Sequence, residues 1–288
     1  MALADIRELF VAAQKGNYAL PGFNSNCLEM IPPLIEAAEA EGAPLILQIG
    51  KRFLQYLEPG QAASLALHVA GKARVPVAIH LDHGADLEQA RQCLEAGFNS
   101  IMYDGSALSF DENIKKTREI VELCAKRDIP VEGETGKVPV SANGSYVSHG
   151  EGPANWDMTE PEEAVEYVEC TRVSSLAVAV GNLHRMNKKE AKIDFDRIEK
   201  IRRAVKVPLV IHGSSGISID DIKRTIQCGI SKINIATEFN LAFLEGTREC
   251  MEAGKDEWFP MAPLKWGMEK VRNLARERIR VLGAAGRY

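Results

Sequence analysis

One pattern recurs eight times along the chain: a short apolar or β-branched run, a polar turn, then a stretch with helical periodicity. The runs fall at 19–23, 45–49, 77–81, 100–103, 130–134, 175–180, 208–212 and 233–235. Each is short and poorly alternating, which is the signature of parallel strands buried on both faces. Helix-like segments at 28–41, 61–73, 87–96, 110–126, 161–171, 195–205 and 218–227 alternate with the runs, and Ser218 is a candidate N-cap. Eight such units in 288 residues predict an α/β fold, a closed (β/α)8 or TIM barrel forming a single domain over 1–288. The alternative is a doubly wound open sheet. That fold usually has fewer strands and a Gly-rich dinucleotide loop after the first, whereas strand one here runs into GFNSNCLEM with no GxGxxG. A long mobile loop is expected at about 137–159, and a helical extension at the C-terminus.

The unusual polar residues gather at the C-terminal ends of these runs. Asp82 and His83 follow run three, Asp104 follows four, Glu134 ends five, His184 lies beyond six, His212 ends seven and Asn234 lies in eight. In a barrel these ends surround one mouth, where such folds place their sites. Six histidines occur in the chain; His68 falls mid-helix, His149 in the long loop, and His80 faces either the barrel interior or the helices. The other three, His83, His184 and His212, form a ligand set suited to Zn2+ with a fourth position open, and the bland reading of each is a hydrogen-bonded rim histidine. Asp82 can orient a histidine or exchange a proton. Asp104 and Glu134 read as outer partners, as an alternative metal position, or as helix caps and salt-bridge partners.

Two turns suit an anion. His212-Gly213-Ser214-Ser215-Gly216 precedes one helix and Asn234-Ile235-Ala236-Thr237-Glu238 opens another. Their backbone N–H groups and hydroxyls can cradle a phosphate, and the loops after strands seven and eight are its usual place in a barrel. A metal beside a phosphate pocket with a carboxylic acid at hand suits aldol chemistry on a phosphorylated hydroxy-ketone, with Asp82 as the proton donor and acceptor.

Composition narrows the partners. Apolar residues make up 45% and charged residues 26%, so the chain is expected to be a soluble globular protein. A formal net charge of -5 gives no long-range attraction to nucleic acid or anionic lipid, and neither partner is expected. The six cysteines are scattered without a CxxC pair, and no secretory signal opens the chain, so a cytoplasmic location is expected.

At these residues the sequence resembles the class II, zinc-dependent ketose-bisphosphate aldolases, in particular the fructose/tagatose bisphosphate aldolase branch. The likeness runs through HLDHG at 80–84, SIMYDGS at 100–106, VEGETG at 131–136, SLAVAVGNLH at 175–184, KIDF at 192–195, PLVIHGSSG at 208–216 and GISKINIATE at 229–238. The resemblance implies zinc on His83, His184 and His212, Asp82 as general acid/base, and Asp104 and Glu134 at a second or displaced metal position. It implies that Gly181, Gly213, Ser215, Asn234 and Thr237 hold the dihydroxyacetone phosphate half, assisted by a monovalent cation (Na+ or K+). A homodimer or homotetramer acting on a small phosphorylated sugar is implied as well.

Three features depart from the family pattern. Arg185 and Met186-Asn187 follow His184 where relatives carry Gly, a small or apolar residue and Tyr; Arg185 is then a candidate substrate contact, since its guanidinium must swing aside or meet an anion. Gly50 replaces a Ser or Thr after strand two. The long loop is poor in acids, with His149, Glu151, Asp157 and Tyr146 its titratable candidates.

Three other readings compete, and two arginines are left open. A metal-dependent hydrolase would carry HxH on strand one, which is absent. A Schiff-base aldolase needs a lysine inside the barrel, and Lys232 reads as lying at the wrong end of strand eight. A sugar-phosphate-binding or assembly subunit would keep the fold without turnover. Arg280 and Arg287 either serve a second anion or solvate a helix.

Overall fold

A computed structural model describes residues 3–140, 157–186, 188–254 and 258–288. Eight strands run β1 Leu20–Ser25, β2 Leu45–Gly50, β3 Val77–Gly84, β4 Ser100–Tyr103, β5 Val131–Thr135, β6 Ser175–Val178, β7 Leu209–Ile211 and β8 Ile230–Ile235. All neighbours pair parallel in chain order, and β8 closes onto β1 through Leu20↔Lys232 to Phe23↔Ile235. The (β/α)8 barrel expected from the alternation is therefore the fold. Of the strand residues only His83 is not buried, which is why the sequence runs lack a polar face.

The outer layer is α1 Ile6–Gly16, α2 Ile31–Glu41, α3 Lys51–Tyr56, α4 Pro59–Lys72, α5 Leu87–Ala96, α6 Phe110–Ala125, α7 Pro161–Thr171, α8 Phe195–Ala204, α9 Ile219–Gln227, α10 Thr237–Glu252 and α11 Met261–Val281. Several begin on a side-chain cap. Asp86 accepts from Gln89 N at 2.8 Å ahead of α5, and Ser218, as its sequence position predicts, accepts from Asp221 N at 3.1 Å ahead of α9. The expected 28–41 helix is divided: Leu28–Met30 is a 3-10 turn, and α2 starts afresh with Pro32 and Pro33 in its first turn, where a missing N–H costs nothing. The short helix α3 was not expected from the sequence.

Two boundary shifts matter for the site. β3 runs on to Gly84, three residues past its apolar run, and β8 starts at Ile230, three residues before its own. Lys232 accordingly sits within β8, fully buried, and not at the strand's far end as its sequence position suggested. At the C-terminus α11 packs on α10 and α2, and the chain closes on the end of α2: Gly286 N donates to Glu41 O at 2.8 Å and Tyr288 N to Gly42 O at 3.0 Å.

Candidate active site

Consecutive side chains of a strand point to opposite faces, so a regular β3 could not aim both Asp82 and His83 at the barrel axis. The register of β3 against β4 slips between Leu81 and Gly84, and His83 takes φ 51°, in the left-handed region. A non-glycine residue held there costs of order 1–3 kcal/mol, a strain that tends to collect at functional sites. The bulge is what puts an acid and an imidazole side by side. His80 shares the face of Asp82, and its position is now settled: it is buried in the interior with Nδ1 2.7 Å from Ser100 Oγ.

Two carboxylates aim two of the imidazoles. His83 Nδ1 is 2.8 Å from Asp104 Oδ2, and Asp104 is itself fixed by Ser106 N and Oγ at 3.1 and 2.6 Å. His212 Nε2 is 2.9 Å from Glu132 Oε1, and Lys232 Nζ donates to both oxygens of Glu132 at 2.8 and 3.1 Å. The remaining nitrogens, His83 Nε2 and His212 Nδ1, then face each other at 3.0 Å. His184 enters from beyond β6, its N–H donating to Pro139 O at 2.9 Å. Ring centroids are 4.6 Å apart for His83 and His212, 5.0 Å for His83 and His184, and 6.2 Å for His184 and His212. Asp82 stands next to this centre, its Oδ1 3.8 Å from His212 Nδ1 and 4.0 Å from His83 Nε2. Asn24 Nδ2 donates to its Oδ2 at 2.7 Å and Gln48 Nε2 to its Oδ1 at 3.0 Å.

The electrostatics are dominated by buried acid. Burial raises the Asp82 carboxyl, but the His83 and His212 charges and the Asn24 hydrogen bond outweigh it and hold Asp82 below the usual carboxylate range. Burial and then the Asp104 charge push Glu134 up to about 8, and its Oε2 is buried with no hydrogen-bond partner among the described residues. Burial lowers His83, yet Asp82, Asp104 and Glu134 together lift it to about 10. Burial and the His83 charge bring His184 down to about 3, leaving a neutral imidazole.

Two adjoining cavities open from this centre. The inner one, about 80 Å3, lies between Asp82, His83 and His212 on one side and Gly213, Ser215 and Thr237 on the other. Gly213 has φ 63°, and a Cβ there would stand 2.5 Å from Leu183 O, so the turn requires glycine. Ser214 points away, its hydroxyl bonded to Asn234 O. Thr237 begins α10 at the cavity wall, and Asn234 Nδ2 lies 3.4 Å from Asp82 Oδ1. The outer cavity, about 530 Å3, includes Asp104 and Glu134 and extends to Lys51, Arg52 and Lys137. Arg185 lines both cavities, with φ 60°, and Met186 is buried beneath Gly216. Gly181 lines neither cavity; its φ of 98° and the approach of Lys192 O, 2.0 Å from where a Cβ would be, account for the glycine. Asn187, Tyr146, His149 and Glu151 lie outside the described residues, while Asp157 is exposed and accepts from Lys137 N through its backbone.

Comparison with known proteins decides the family. The family model described as fructose-bisphosphate aldolase class-II matches residues 4–287. The chain belongs to the class II fructose-bisphosphate aldolase family. This class II aldolase is 36% identical over 286 residues to the sulfofructosephosphate aldolase of Alkalicoccus urumqiensis, covering 99% of this chain and 98% of that one. It is also 36% identical over 292 residues to the 6-phospho-5-dehydro-2-deoxy-D-gluconate aldolase of Bacillus subtilis (strain 168), covering 100% and 98%. The crystal structure of the YdjI aldolase from Escherichia coli K12 superposes with a TM-score of 0.85 at 36% identity, covering 99% and 98%. The protein is therefore an aldolase, a carbon–carbon lyase.

The family's divalent metal fits the residues present. Among the described residues, buried Asp82, Glu132 and Glu134 and partly buried Asp104 bring acidic groups together with Lys232 as the buried lysine, and Glu134 Oε2 has no hydrogen-bond partner. Two sets of ligand atoms lie within 4.8 Å of one another: Asp82, His83 and His212, and His83, Asp104 and Glu134. Sequence reasoning missed Asn24, Gln48, Glu132 and Lys232 as parts of this site. Their signal was the two-residue spacing along a strand that pairs Glu132 with Glu134, Lys232 with Asn234 and Gln48 with Gly50.

Proposed function

We propose that this aldolase reversibly cleaves a phosphorylated ketose, a ketose 1-phosphate or 1,6-bisphosphate, to dihydroxyacetone phosphate and an aldehyde. The observation that carries the reading is the convergence of His83, His184 and His212 beside the Asp82 carboxylate, across one small cavity from the Gly213–Ser215 turn. His83, His184 and His212 would hold Zn2+, with Glu134 and Asp104 offering a displaced position around His83. The bound ion supplies Lewis-acid polarisation of the ketose carbonyl and neighbouring hydroxyl.

The chain's own residues do the rest. The phosphate rests on Gly213, Ser215 and the start of α10 at Thr237, with Asn234 and Arg185 completing the donor side and a monovalent cation, Na+ or K+, assisting; Gly181, which lines neither cavity, serves the backbone turn instead. Asp82, held ionised, takes the proton from the C4 hydroxyl. That oxygen becomes the aldehyde carbonyl, the C3–C4 bond breaks, and its electron pair passes to C3 as the enediolate of dihydroxyacetone phosphate. Protonation of C3 falls to an acid from the loop after β5, where His149, Glu151 and Asp157 are the candidates. Asn24 and Gln48 each spend one amide hydrogen on Asp82, fixing which lone pair faces the substrate.

The partners are a small phosphorylated sugar and further copies of the chain, as homodimer or homotetramer; Leu241, Leu244 and Met251 form an exposed apolar stripe on α10 suited to such contact. Six free cysteines fit a reducing cytoplasm. Among the described residues no helix is long and apolar enough to cross a membrane. The test is a coupled assay for dihydroxyacetone phosphate with zinc-loaded protein over a panel of ketose 1-phosphates. Turnover is expected, with loss on chelation and a fall of about 10²–10⁴-fold in Asp82→Ala. Absence of dihydroxyacetone phosphate from every substrate would overturn the reading.

A further inference from the structure

We infer that Lys189 is a positioning residue for the donor phosphate: it straps the Gly213–Ser215 turn to the start of α10 and so sets the width of the cup between them. The inference rests on the phosphate placement proposed above and names the side chain that keeps its two halves in register.

The two halves come from different strands. The turn follows β7 and Thr237 follows β8, and both line the inner cavity. Their inner edge is tied by Ser214, whose hydroxyl donates to Asn234 O. At the outer edge the tie is Lys189, from the segment between β6 and α8. Its ammonium donates to Ser215 O at 2.9 Å and to a carboxylate oxygen of Glu238, the residue after Thr237. The other oxygen of Glu238 accepts from Arg278 Nε of α11 at 2.6 Å. One carboxylate is thus shared by two cations, and a chain of contacts runs from the turn through Lys189 and Glu238 to the C-terminal helix.

The residues around Lys189 hold it in place. Met186 is fully buried against Gly216, where a Cβ would stand 2.5 Å from its Sδ, and Ala191 N donates to Gly216 O at 3.0 Å. The chain therefore grips the β7 turn on either side of Lys189. An exposed lysine paired with an exposed acid contributes little. Here the side chains of Glu238 and Arg278 are each only 13% exposed, so the anchor of the strap stands largely out of water, where an uncompensated charge is costly. Lys189 lines neither cavity, so its ammonium acts on the phosphate through Ser215 and Thr237 and not by touching it. The C-terminal arginines considered from sequence are engaged elsewhere: Glu41 holds Arg280, and Arg287 lies over the Tyr18 ring.

Calorimetric titration of the zinc-loaded protein with dihydroxyacetone phosphate and with dihydroxyacetone separates the phosphate cup from the rest of the site. In Lys189→Met the affinity for dihydroxyacetone phosphate is expected to fall about 10-fold, the scale of one charge-assisted hydrogen bond, while dihydroxyacetone binding and zinc stoichiometry hold. In turnover the same variant should raise KM for a ketose 1-phosphate with kcat little changed, the pattern of lost uniform binding. Lys189→Arg, whose guanidinium can still span a carbonyl and a carboxylate, should recover most of the affinity. Glu238→Gln decides the sign, and it does so even if Lys189→Met does not fold. It leaves both cations beside the cup with one negative charge fewer, so attraction by charge alone, or a direct contact of Lys189 with phosphate, would tighten binding. A strap cut at its anchor loosens it, and a loss of affinity is the expected result. Tighter binding in Glu238→Gln overturns the inference, as does parent affinity in Lys189→Met or an equal loss for both ligands. If the parent binds the two ligands alike, the phosphate placement falls and the inference with it. Discrimination in the parent that survives in both variants sinks the inference alone.

Discussion

Glu132 carries two duties that can be separated. It neutralises the fully buried Lys232 and it accepts from His212 Nε2, so it fixes both a charge and a ring orientation. Glu132→Gln is expected to cost about 3–5 kcal/mol in urea denaturation, because it leaves a buried ammonium without its counter-charge. It is also expected to weaken zinc binding by about 10- to 100-fold in a chelator competition, the usual price of a lost outer carboxylate. The double variant Glu132→Gln, Lys232→Met should recover much of the stability and none of the zinc affinity; joint recovery of both would show that Glu132 acts on the metal only through the fold. The three histidines and Asp82 were legible in the sequence because polar residues at the ends of apolar runs stand out. Their partners were not. Lys232 interrupts its run and looked like the start of the strand, and only its pairing with Glu132, 100 residues away, makes its burial tolerable.

The eight strands were legible as elements because burial on both faces leaves apolar runs with no competing pattern. Their ends were harder. β3 continues through polar Asp82 and His83 on a bulge, which no propensity signals, and α3 follows β2 without a turn residue of its own to announce it. Local hydrogen bonding still sets several helix starts. Asp86→Ala removes the acceptor for Gln89 N at the head of α5 and is expected to lower stability by about 1 kcal/mol in urea, with catalysis unchanged. The turn after β7 is a different case. In Gly213→Ala the new Cβ would meet Leu183 O at 2.5 Å and His184 N at 2.9 Å at a backbone φ of 63°. Stability is expected to fall by at least about 1 kcal/mol. Zinc affinity should fall with it, since the atom pushed is the backbone of His184, a proposed ligand; a melting shift with undisturbed zinc binding would show that the turn and His184 move independently.

Across the whole molecule the barrel is closed a second time on its outside, where Glu41 at the end of α2 holds Arg276 and Arg280 of α11 at 2.7 Å each. The Arg280 hydrogen bond, against the cost of burial, and then Arg276 keep the Glu41 carboxyl below its ordinary 4.5. A carboxyl lowered in the folded state stabilises fully above its unfolded value and loses that contribution as pH falls through the folded one. Glu41→Gln should therefore lower Tm at pH 7, with the gap to the parent closing below about pH 4.5; a gap that persists in acid would place the effect in packing. At the same scale the barrel brings together side chains from residues 82 to 212 around one centre, which is what permits an aldol site at all. X-ray absorption at the zinc edge of the loaded protein measures that centre directly. Three imidazole nitrogens at about 2.0–2.1 Å around one zinc per chain are expected. A shell with fewer than two imidazoles, or zinc bound substoichiometrically, would contradict the account.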